Sequence, residues 1–446
     1  MKRKFLLIFC SILPIYVFAK ELSGRQECDC KIEFDKTQSK IISGEQTIQV
    51  FLQRKITGKF VTKLPAGEIV CDGCKKLLYL PEEACVVNPY DFTYSYKIPD
   101  NIRCIGSHAF KDLHLLKFVD IPNSVTSIES GAFKNSAVRR VDIPNSVKFI
   151  GEGIFENCTG LITVVLPDSL QIIPSRTFYD CYSLVNVSNS SEHNVLNNIV
   201  SIGEDAFWGC ESLKELEFPD TLVSIGEAAF WRCESLKELE FPDTLVSIGE
   251  DAFWGCESLK YIYMNTSKLR KKFYIGNGAF WGCESLIGIG PVKTRTFGGP
   301  NPTWNDIYQQ PEAIEFPNGT EEIPSSAFED CESVSNIIIP NTVHTIGAGA
   351  FEDCTSLKEI HIPSSVRTIG KSIFKNCDEL KTVIFDSTVF LNIHILNHFS
   401  EDLELETIMV PKRLKGDIVD FMKKNQKYSE LLLKVKFFDA ASWDMR

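Results

Sequence analysis

Two adjacent 23-residue segments of this chain are almost identical, and this duplication constrains the fold more than any other feature. Glu204–Gly226 and Glu227–Gly249 differ at only two positions. Glu250–Lys260 repeats the first half of the unit without change, and Trp281–Leu286 repeats its WGCESL motif. An internal period of 20 to 50 residues is typical of solenoids and propellers, in which each unit buries its apolar side against its neighbours.

One phenylalanine per unit marks the extent of the array. Most of these residues are 22 or 23 positions apart, but 48 positions separate Phe280 from Phe328, and we expect a degenerate repeat with its strand at Ala313–Pro317 to fill that interval. The array is predicted to cover residues 96–411, between an N-terminal cap region at 20–95 and a C-terminal cap or tail at 412–446, which the spacing of Ile418, Val419, Phe421 and Met422 predicts to be partly helical. The phenylalanines are Phe110, Phe133, Phe155, Phe178, Phe207, Phe230, Phe253, Phe280, Phe328, Phe351 and Phe374.

Each unit reads as one strand followed by a return path. We expect Leu213, Leu216 and Phe218 to point inward, and the alternation over 216–218 is typical of a half-buried strand, which Pro219 ends because proline lacks an N–H donor. In the return path, we expect Gly226 to bend the chain through backbone angles that only glycine tolerates well. The prediction is a right-handed solenoid with a parallel β-sheet on one side and irregular or short-helical returns on the other.

The consensus LxxIxIPxxVxxIGxxAFxxCxSL, in which the Ile-Pro, Ile-Gly, Ala-Phe and Cys elements recur at fixed offsets, resembles the BspA-type leucine-rich repeat. This resemblance implies a leucine-rich-repeat-like array. It also implies a protein that is secreted or exposed at a cell surface and acts in adhesion or protein binding. It implies no catalytic residues and names no ligand.

Charge and hydropathy agree with export. The formal net charge is -12, which argues against a nucleic-acid partner because phosphate binding needs clustered Lys and Arg. Residues 1–19 are predicted to be a signal peptide, with Lys2, Arg3 and Lys4 before an apolar stretch and Ala19 at the cleavage site. No later apolar run is long enough to predict a transmembrane segment.

Nine of the sixteen cysteines occupy one slot of the repeat, three residues after the phenylalanine. Stacked turns would place their side chains in one buried column, and we expect free thiols there because cysteine is among the most buried residue types. Occasional bridges and metal ligation are the alternatives. The column comprises Cys158, Cys181, Cys210, Cys233, Cys256, Cys283, Cys331, Cys354 and Cys377.

The remaining cysteines of the predicted mature chain lie in the N-terminal flank or the first repeat. Export favours a disulfide-stapled cap, although the CxxC spacing of Cys71 and Cys74 also fits a zinc site or a redox motif. Their pairing is left open. They are Cys28, Cys30, Cys71, Cys74, Cys85 and Cys104.

The sequence predicts no enzyme, no metal site and no cofactor. It contains no GxSxG, HExxH or GxxxxGK motif.

An aromatic column is the first candidate binding site. The slot after the phenylalanine holds charged residues in several repeats, so we expect it to face solvent, and in the central repeats it holds Tyr179, Trp208, Trp231, Trp254 and Trp281. Contiguous exposed aromatic surface often marks a binding site, here for protein or glycan. Alternatively, each indole lies flat on its neighbour and only shields the backbone.

The sheet face is the second candidate. Its outward positions are acidic at Glu215, Glu217, Glu238 and Glu240 and become aromatic at Tyr261 and Tyr263. A basic protein partner or Ca²⁺ could use these carboxylates, with the protein favoured because the oxygen ligands lie in a flat row, whereas a solvated acidic face with no ligand is the alternative. The sequence as a whole therefore predicts a secreted or cell-surface protein that binds proteins of a host matrix or a partner cell. The alternative is a passive structural component of the cell envelope.

Overall fold

The computed structural model describes residues 94–189, 196–264, 272–290, 311–387, 405–425, 430–431 and 433–439, together with seven short strands between residues 31 and 87. In these ranges the chain forms a solenoid of parallel strands with little helix, which confirms the predicted fold class. Each regular turn places one strand on a broad face and a two-residue strand on a narrow face. The chain then passes through tight turns that carry the Ala-Phe pair, here termed the Phe side.

The broad face consists of two sheets whose strands follow the predicted Ile-Pro pattern. Val141, for example, is buried between the exposed Arg140 and Asp142, because successive side chains of a strand point to opposite faces. The first sheet contains β7 (Val86–Val87), β8 (Tyr94–Lys97), β10 (Leu116–Asp120), β12 (Arg140–Asp142), β14 (Thr163–Val165) and β16 (Asn186–Ser188). The second contains β19 (Glu238–Glu240), β21 (Tyr261–Tyr263), β23 (Gly288–Gly290), β24 (Ile314–Glu315), β26 (Asn336–Ile338), β28 (Glu359–Ile362), β30 (Thr382–Phe385), β31 (Thr407–Pro411) and β32 (Val435–Phe438).

The narrow face is a second set of parallel ladders, where the sequence predicted irregular or short-helical returns. Each short strand pairs in register with its neighbour, as Ser224 and Ile225 do with Ser247 and Ile248, and this pairing satisfies backbone groups that the core would otherwise bury unpaired. The strands are β9 (Cys104–Ile105), β11 (Ser127–Ile128), β13 (Phe149–Ile150), β15 (Ile172–Ile173), β17 (Ser201–Ile202), β18 (Ser224–Ile225), β20 (Ser247–Ile248), β22 (Tyr274–Ile275), β25 (Glu322–Ile323), β27 (Thr345–Ile346) and β29 (Thr368–Ile369).

The Ala-Phe pairs form the centre of the core. All eleven repeat phenylalanines are among the largest fully buried side chains, and the rings of successive turns stack at centroid distances from 4.8 Å for Phe110–Phe133 to 6.3 Å for Phe328–Phe351. Burying one phenylalanine side chain contributes about 1.5–3 kcal/mol. The column therefore supplies a large part of the interaction between turns.

The glycine of the Ile-Gly step has a different role from the predicted one. Gly226 and Gly249 are not among the residues with positive φ. A Cβ on Gly249 would instead lie 2.5 Å from the backbone nitrogen of Glu227 in the preceding turn. Glycine is needed here because two backbones approach closely, not because of its backbone angles.

The left-handed backbone angles occur two residues before and two residues after each phenylalanine. Around Phe207 these positions are Asp205 (φ 54) and Gly209 (φ 69), and around Phe230 they are Ala228 (φ 48) and Arg232 (φ 54). Both differences between the duplicated units thus fall on left-handed positions, where Asp and Gly are tolerated better than Ala and Arg.

The broad face is interrupted in the turn after β16. Leu213–Phe218, predicted to be a strand, contains only one bridge residue, Glu217. The side chain of Asn189 bonds the backbone amide and carbonyl of Asn197, and the amide of Leu196 donates to the carbonyl of Glu217 at 3.2 Å. The insertion before the Phe207 turn therefore occupies hydrogen-bonding groups that would continue the sheet.

The long interval before Phe328 adds a strand to the broad face but no turn to the Phe side. The rings of Phe280 and Phe328 stack directly at 5.3 Å, and the amide of Phe280 bonds the carbonyl of Ala327. On the broad face, by contrast, both β23 and β24 lie between β21, the strand of the Phe280 turn, and β26, the strand of the Phe351 turn. The expected complete degenerate repeat is thus wrong for the described residues, since Ala313–Pro317 belongs to the Phe328 turn and only β23 is additional.

The flanks continue the faces of the array. Strands β1 (Lys31–Phe34), β2 (Thr47–Val50) and β3 (Arg54–Thr57) form an antiparallel sheet, while β4 (Val61–Lys63), β5 (Ile69–Cys71) and β6 (Lys76–Tyr79) join the narrow face through β9. The predicted helix lies between the last two broad-face strands as α1 (Lys415–Lys424), after a single 3-10 turn at Lys412–Leu414. Its Ile418 is completely buried.

Candidate functional site

The predicted aromatic column is a continuous stack on the Phe side. The rings of Trp208 and Trp231 are 4.2 Å apart, those of Trp231 and Trp254 are 4.3 Å apart, and Tyr179 stacks on Trp208 at 5.5 Å. Trp281 meets Trp254 edge to face at 6.1 Å. All five side chains are half-buried, whereas the sequence predicted a solvent-facing slot, because each ring covers a face of its neighbour.

Both ends of this stack are closed by polar groups. The guanidinium of Arg176 lies 4.1 Å from the centroid of the Tyr179 ring, and the indole N–H of Trp281 donates to Asp330 Oδ2 at 2.8 Å. The ring faces of Tyr179, Trp208 and Trp231 are thus covered by neighbouring side chains, as the packing interpretation predicts. What the column offers to a partner is its edges.

The four predicted carboxylates of the broad face are exposed but do not share one sheet. Glu238 and Glu240 lie on β19, the edge strand of the second sheet, whereas Glu215 and Glu217 lie in the interrupted turn. The expected continuous acidic face is therefore broken between the two turns.

Tyr261 and Tyr263 are not available as exposed aromatic residues, which corrects the sequence-based prediction. Their relative exposures are 9% and 8%, and their rings lie 6.2 Å apart. In register beside them on β23 are Gly288 and Gly290, and the backbone of Pro311 comes within 2.5 Å of where a Cβ on Gly288 would lie. The chain thus crosses the broad face at these glycines, and this side of the sheet is covered.

The nine repeat cysteines are buried, unbridged thiols in one column, as the sequence predicts. Each thiol donates to the carbonyl oxygen of the phenylalanine one turn earlier, for example Cys233 to Phe207 at 3.3 Å and Cys256 to Phe230 at 3.2 Å. Burial raises the pKa of the Cys158 thiol to about 12, so the column is neutral at ordinary pH. Neutral, buried thiols are unreactive, and this column has a structural role.

Among the flank cysteines, only the side chain of Cys104 is described. Its Sγ lies 3.6 Å from Glu129 Oε1 and carries a thiol, so the predicted disulfide does not involve Cys104 in this structure. Lys76 lies between Cys71 and Cys104 in the sheet register. Positions two strands apart are about 9–10 Å from each other, beyond the reach of a disulfide. The side chains of Cys28, Cys30, Cys71, Cys74 and Cys85 lie outside the described residues, as does the predicted signal peptide.

The first broad-face sheet carries a groove that the sequence did not single out. Its volume is about 990 Å³, and it runs across β8, β10, β12, β14 and β16. Phe118 projects into it with 42% of its surface exposed, beside its register partner Arg140. These outward positions were recognisable from the strand alternation, but their variable composition gave no repeated signal.

The charges of the groove are paired within the protein. Arg140 contacts Asp142 with Nε 3.0 Å from Oδ1 and Nη2 3.1 Å from Oδ2, and Lys97 Nζ lies 3.9 Å from Asp120 Oδ2. At its far end, Asn145 donates to Asp168 at 2.7 Å. The groove thus combines an exposed aromatic ring with positive and negative side chains. Such a surface is suited to a partner that is partly polar and partly apolar.

One group of carboxylates, Glu329, Glu352 and Asp353, lies within 4.8 Å on the Phe side. Lys375 forms an ion pair with Glu352, and Asn376 donates to Asp353 at 2.7 Å. Partners within the protein thus engage two of the three side chains.

Comparison with known proteins identifies the family. Residues 90–199, 188–292 and 308–417 match the family model described as "BspA type Leucine rich repeat region (6 copies)", which covers well over half of the chain. The chain belongs to the BspA-type leucine-rich repeat family. The resemblance noted in the sequence is thereby confirmed. No curated protein sequence gives a significant match.

One solved structure supports the fold, and a second shows a weaker likeness. A leucine-rich repeat protein from Bacteroides ovatus ATCC 8483 superposes with a TM-score of 0.52 at 22% identity, covering 84% of this chain and 100% of that one. A leucine-rich cell surface protein from Faecalibacterium prausnitzii A2-165 has a TM-score of 0.40 at 23% identity, with coverages of 75% and 97%. Among the described residues, no helix is long and apolar enough to cross a membrane.

Proposed function

We propose that this BspA-type repeat protein is exported and binds other proteins at a cell surface or in the extracellular space, where it acts in adhesion and not as an enzyme. The observation that carries the proposal is the groove on the first broad-face sheet. Family membership supports a binding scaffold, and the predicted signal peptide supports export.

Within the groove, Phe118 and Arg140 are the proposed main contacts. Aromatic and arginine side chains contribute most strongly to protein interfaces, especially where surrounding groups exclude water. Arg140 can exchange its bond to Asp142 for a partner carboxylate, and Phe118 can bury its exposed surface. The proposed ligand is therefore a protein segment of mixed polarity, since the groove carries both cations and carboxylates beside its aromatic ring.

A matched pair of variants tests this assignment. Phe118→Ser and Ile338→Ser each remove a large apolar side chain from the broad face, with exposures of 42% and 49%, but only Phe118 lines the groove. We expect Phe118→Ser to weaken binding of the purified protein to intact partner cells or immobilised matrix proteins by about tenfold or more. Ile338→Ser should bind like the parent protein.

The alternative, a passive component of the cell envelope, predicts a different result. The parent protein would then show no saturable binding to cells or matrix proteins. Equal weakening by both variants would indicate that general surface apolarity, and not the groove, accounts for the binding.

A further inference from the structure

We propose that the Phe side of the central turns docks a basic peptide segment, rich in Lys or Arg, along the edges of the tryptophan column. This surface, termed the indole strip, comprises Trp208, Trp231, Trp254 and Trp281 with the acidic rows on either side. It is separate from the groove and does not depend on the function proposed there.

Two rows of carboxylates flank the indoles. One row lies three residues before the repeat phenylalanine, at Glu204, Glu227 and Glu250, all of which are exposed. The other lies four residues after it. Its members are Glu211, Glu234, Glu257, Glu284 and Glu332.

The surface has a large excess of negative charge. In the four eight-residue segments 204–211, 227–234, 250–257 and 277–284, nine residues are acidic and only Arg232 is basic. Arg232 is itself paired with Glu234 at 2.8 Å, and Arg176 of the preceding turn is paired with Asp205 at 3.3 Å, which leaves seven of the nine carboxylates paired with neither of these two cations. A cationic partner would therefore meet a field that the protein itself leaves largely unneutralised.

Two raised carboxyl pKa values are consistent with repulsion among these negative charges. Burial and then the neighbouring Glu250 and Glu227 raise the pKa of Asp251, and burial and then Glu257 and Glu332 raise the pKa of Glu284. Each carboxylate is thus affected by like charges in adjacent turns.

The indole edges add hydrogen-bond donors. Among the described residues, no protein atom accepts a hydrogen bond from the indole N–H of Trp208, Trp231 or Trp254, and none of these nitrogens is fully buried. Backbone carbonyls of an extended peptide can accept them. The combination of donors for peptide carbonyls and carboxylates for cationic side chains favours a basic peptide over a small cation.

The dimensions fit a short extended segment. Adjacent turns are joined by backbone hydrogen bonds, such as Gly209 N to Trp231 O at 2.7 Å and Arg232 N to Trp254 O at 2.7 Å. Sheet-like spacing of about 4.8 Å places Trp208 and Trp281 about 15 Å apart, the length of four or five extended residues.

The test uses the full chain and a fluorescently labelled octalysine peptide. Binding is measured by anisotropy, and by quenching of tryptophan fluorescence, because four of the six tryptophans lie in the strip. The strip variant is Glu257→Gln, Glu284→Gln and Glu332→Gln. The control, Glu217→Gln, Glu238→Gln and Glu240→Gln, changes net charge equally in the broad-face part of the repeats, away from the Phe side.

We expect the strip variant to weaken octalysine binding by about tenfold and to abolish the quenching, whereas the control changes affinity less than about twofold. Phe118→Ser should leave octalysine binding unchanged, which separates this proposal from the groove. Equal weakening by both triple variants would show a general charge effect and overturn the proposal. So would the absence of octalysine binding to the parent protein at low salt.

Discussion

The thiol of Cys233 donates a hydrogen bond to the backbone carbonyl of Phe207 in the preceding turn, with Sγ 3.3 Å from the oxygen. The same bond recurs in every turn that has a cysteine in this slot, up to Cys377 and Phe351 at 3.1 Å. The repeated cysteine thus links each turn to the one before it and gives a buried carbonyl a second donor, beside the amide of Cys210 in the case of Phe207.

Removing this donor should be costly. We expect Cys233→Ala to lower the free energy of unfolding by about 0.5–1.5 kcal/mol, because one buried hydrogen bond is lost while the amide of Cys210 still donates to the Phe207 carbonyl at 3.1 Å. Ser235→Ala in the same turn, which removes a half-buried hydroxyl, should change it by less than about 0.5 kcal/mol. Urea denaturation followed by circular dichroism measures both, and equal midpoints would show that the thiol bond contributes nothing.

Alkaline pH should destabilise the array through the same column. Burial raises the pKa of Cys158 and of Cys377 to about 12, so the folded chain retains protons that the unfolded chain releases above about pH 8.5. Because the folded state binds more protons in that window, stability falls as pH rises, by up to about 1.4 kcal/mol per pH unit for each thiol. Below the window the thiols add no pH dependence.

Urea midpoints at pH 8, 9 and 10 measure this effect. A variant with Cys158→Ala and Cys377→Ala should be less stable at pH 8 but show a shallower decline with pH. An identical decline in both proteins would assign the alkaline sensitivity to other groups.

The left-handed slot two residues after the phenylalanine predicts opposite changes in stability at two equivalent positions. Arg232 (φ 54) and Gly255 (φ 68) occupy the same slot in adjacent turns. Arg232→Gly should stabilise the protein by roughly 0.5–1 kcal/mol, since glycine adopts positive φ without strain and the exposed pair with Glu234 contributes little. Gly255→Ala should destabilise it by about 1–2 kcal/mol. Thermal unfolding measures both, and shifts of the same sign would contradict the backbone explanation.

The sequence predicts the phenylalanine and cysteine columns of this fold because the same residue type recurs at the same position of many repeats. Phe230 and Cys233 recur with their neighbours at fixed offsets, so burial in one turn implies burial in all. Features that occur once were missed. The hydrogen bond from the Leu196 amide to the Glu217 carbonyl is one example. It depends on the position at which the chain returns after the insertion, and the repeat period contains no information on that position.

The candidate sites show the same limit. Strand alternation placed Tyr261 on the outer side of the broad face, and Phe118 is an outward residue of the same face. It could not show that Tyr261 is 9% exposed while Phe118 is 42% exposed. The exposure of an outward side chain depends on whether another part of the chain lies over the sheet, as Pro311 does beside Gly288.

Deleting one duplicated unit should leave a folded protein. The ring contacts on either side of Phe230 are nearly equal, 5.0 Å to Phe207 and 5.2 Å to Phe253, so removal of Glu227–Gly249 joins surfaces that already match. We expect a cooperative unfolding transition and a circular dichroism spectrum of unchanged shape. Aggregation, or loss of the cooperative transition, would show that the units are not interchangeable.

Site-specific photo-crosslinking on intact partner cells tests most directly whether the groove binds a protein. A benzophenone-bearing amino acid is placed at position 118, inside the groove, or at position 338, on the same broad face but outside it. We predict a discrete covalent adduct from position 118 that excess unlabelled protein competes away, and little or none from position 338. Equal adducts from the two positions, or an adduct only from position 338, would contradict the assignment of the groove as the protein-binding site.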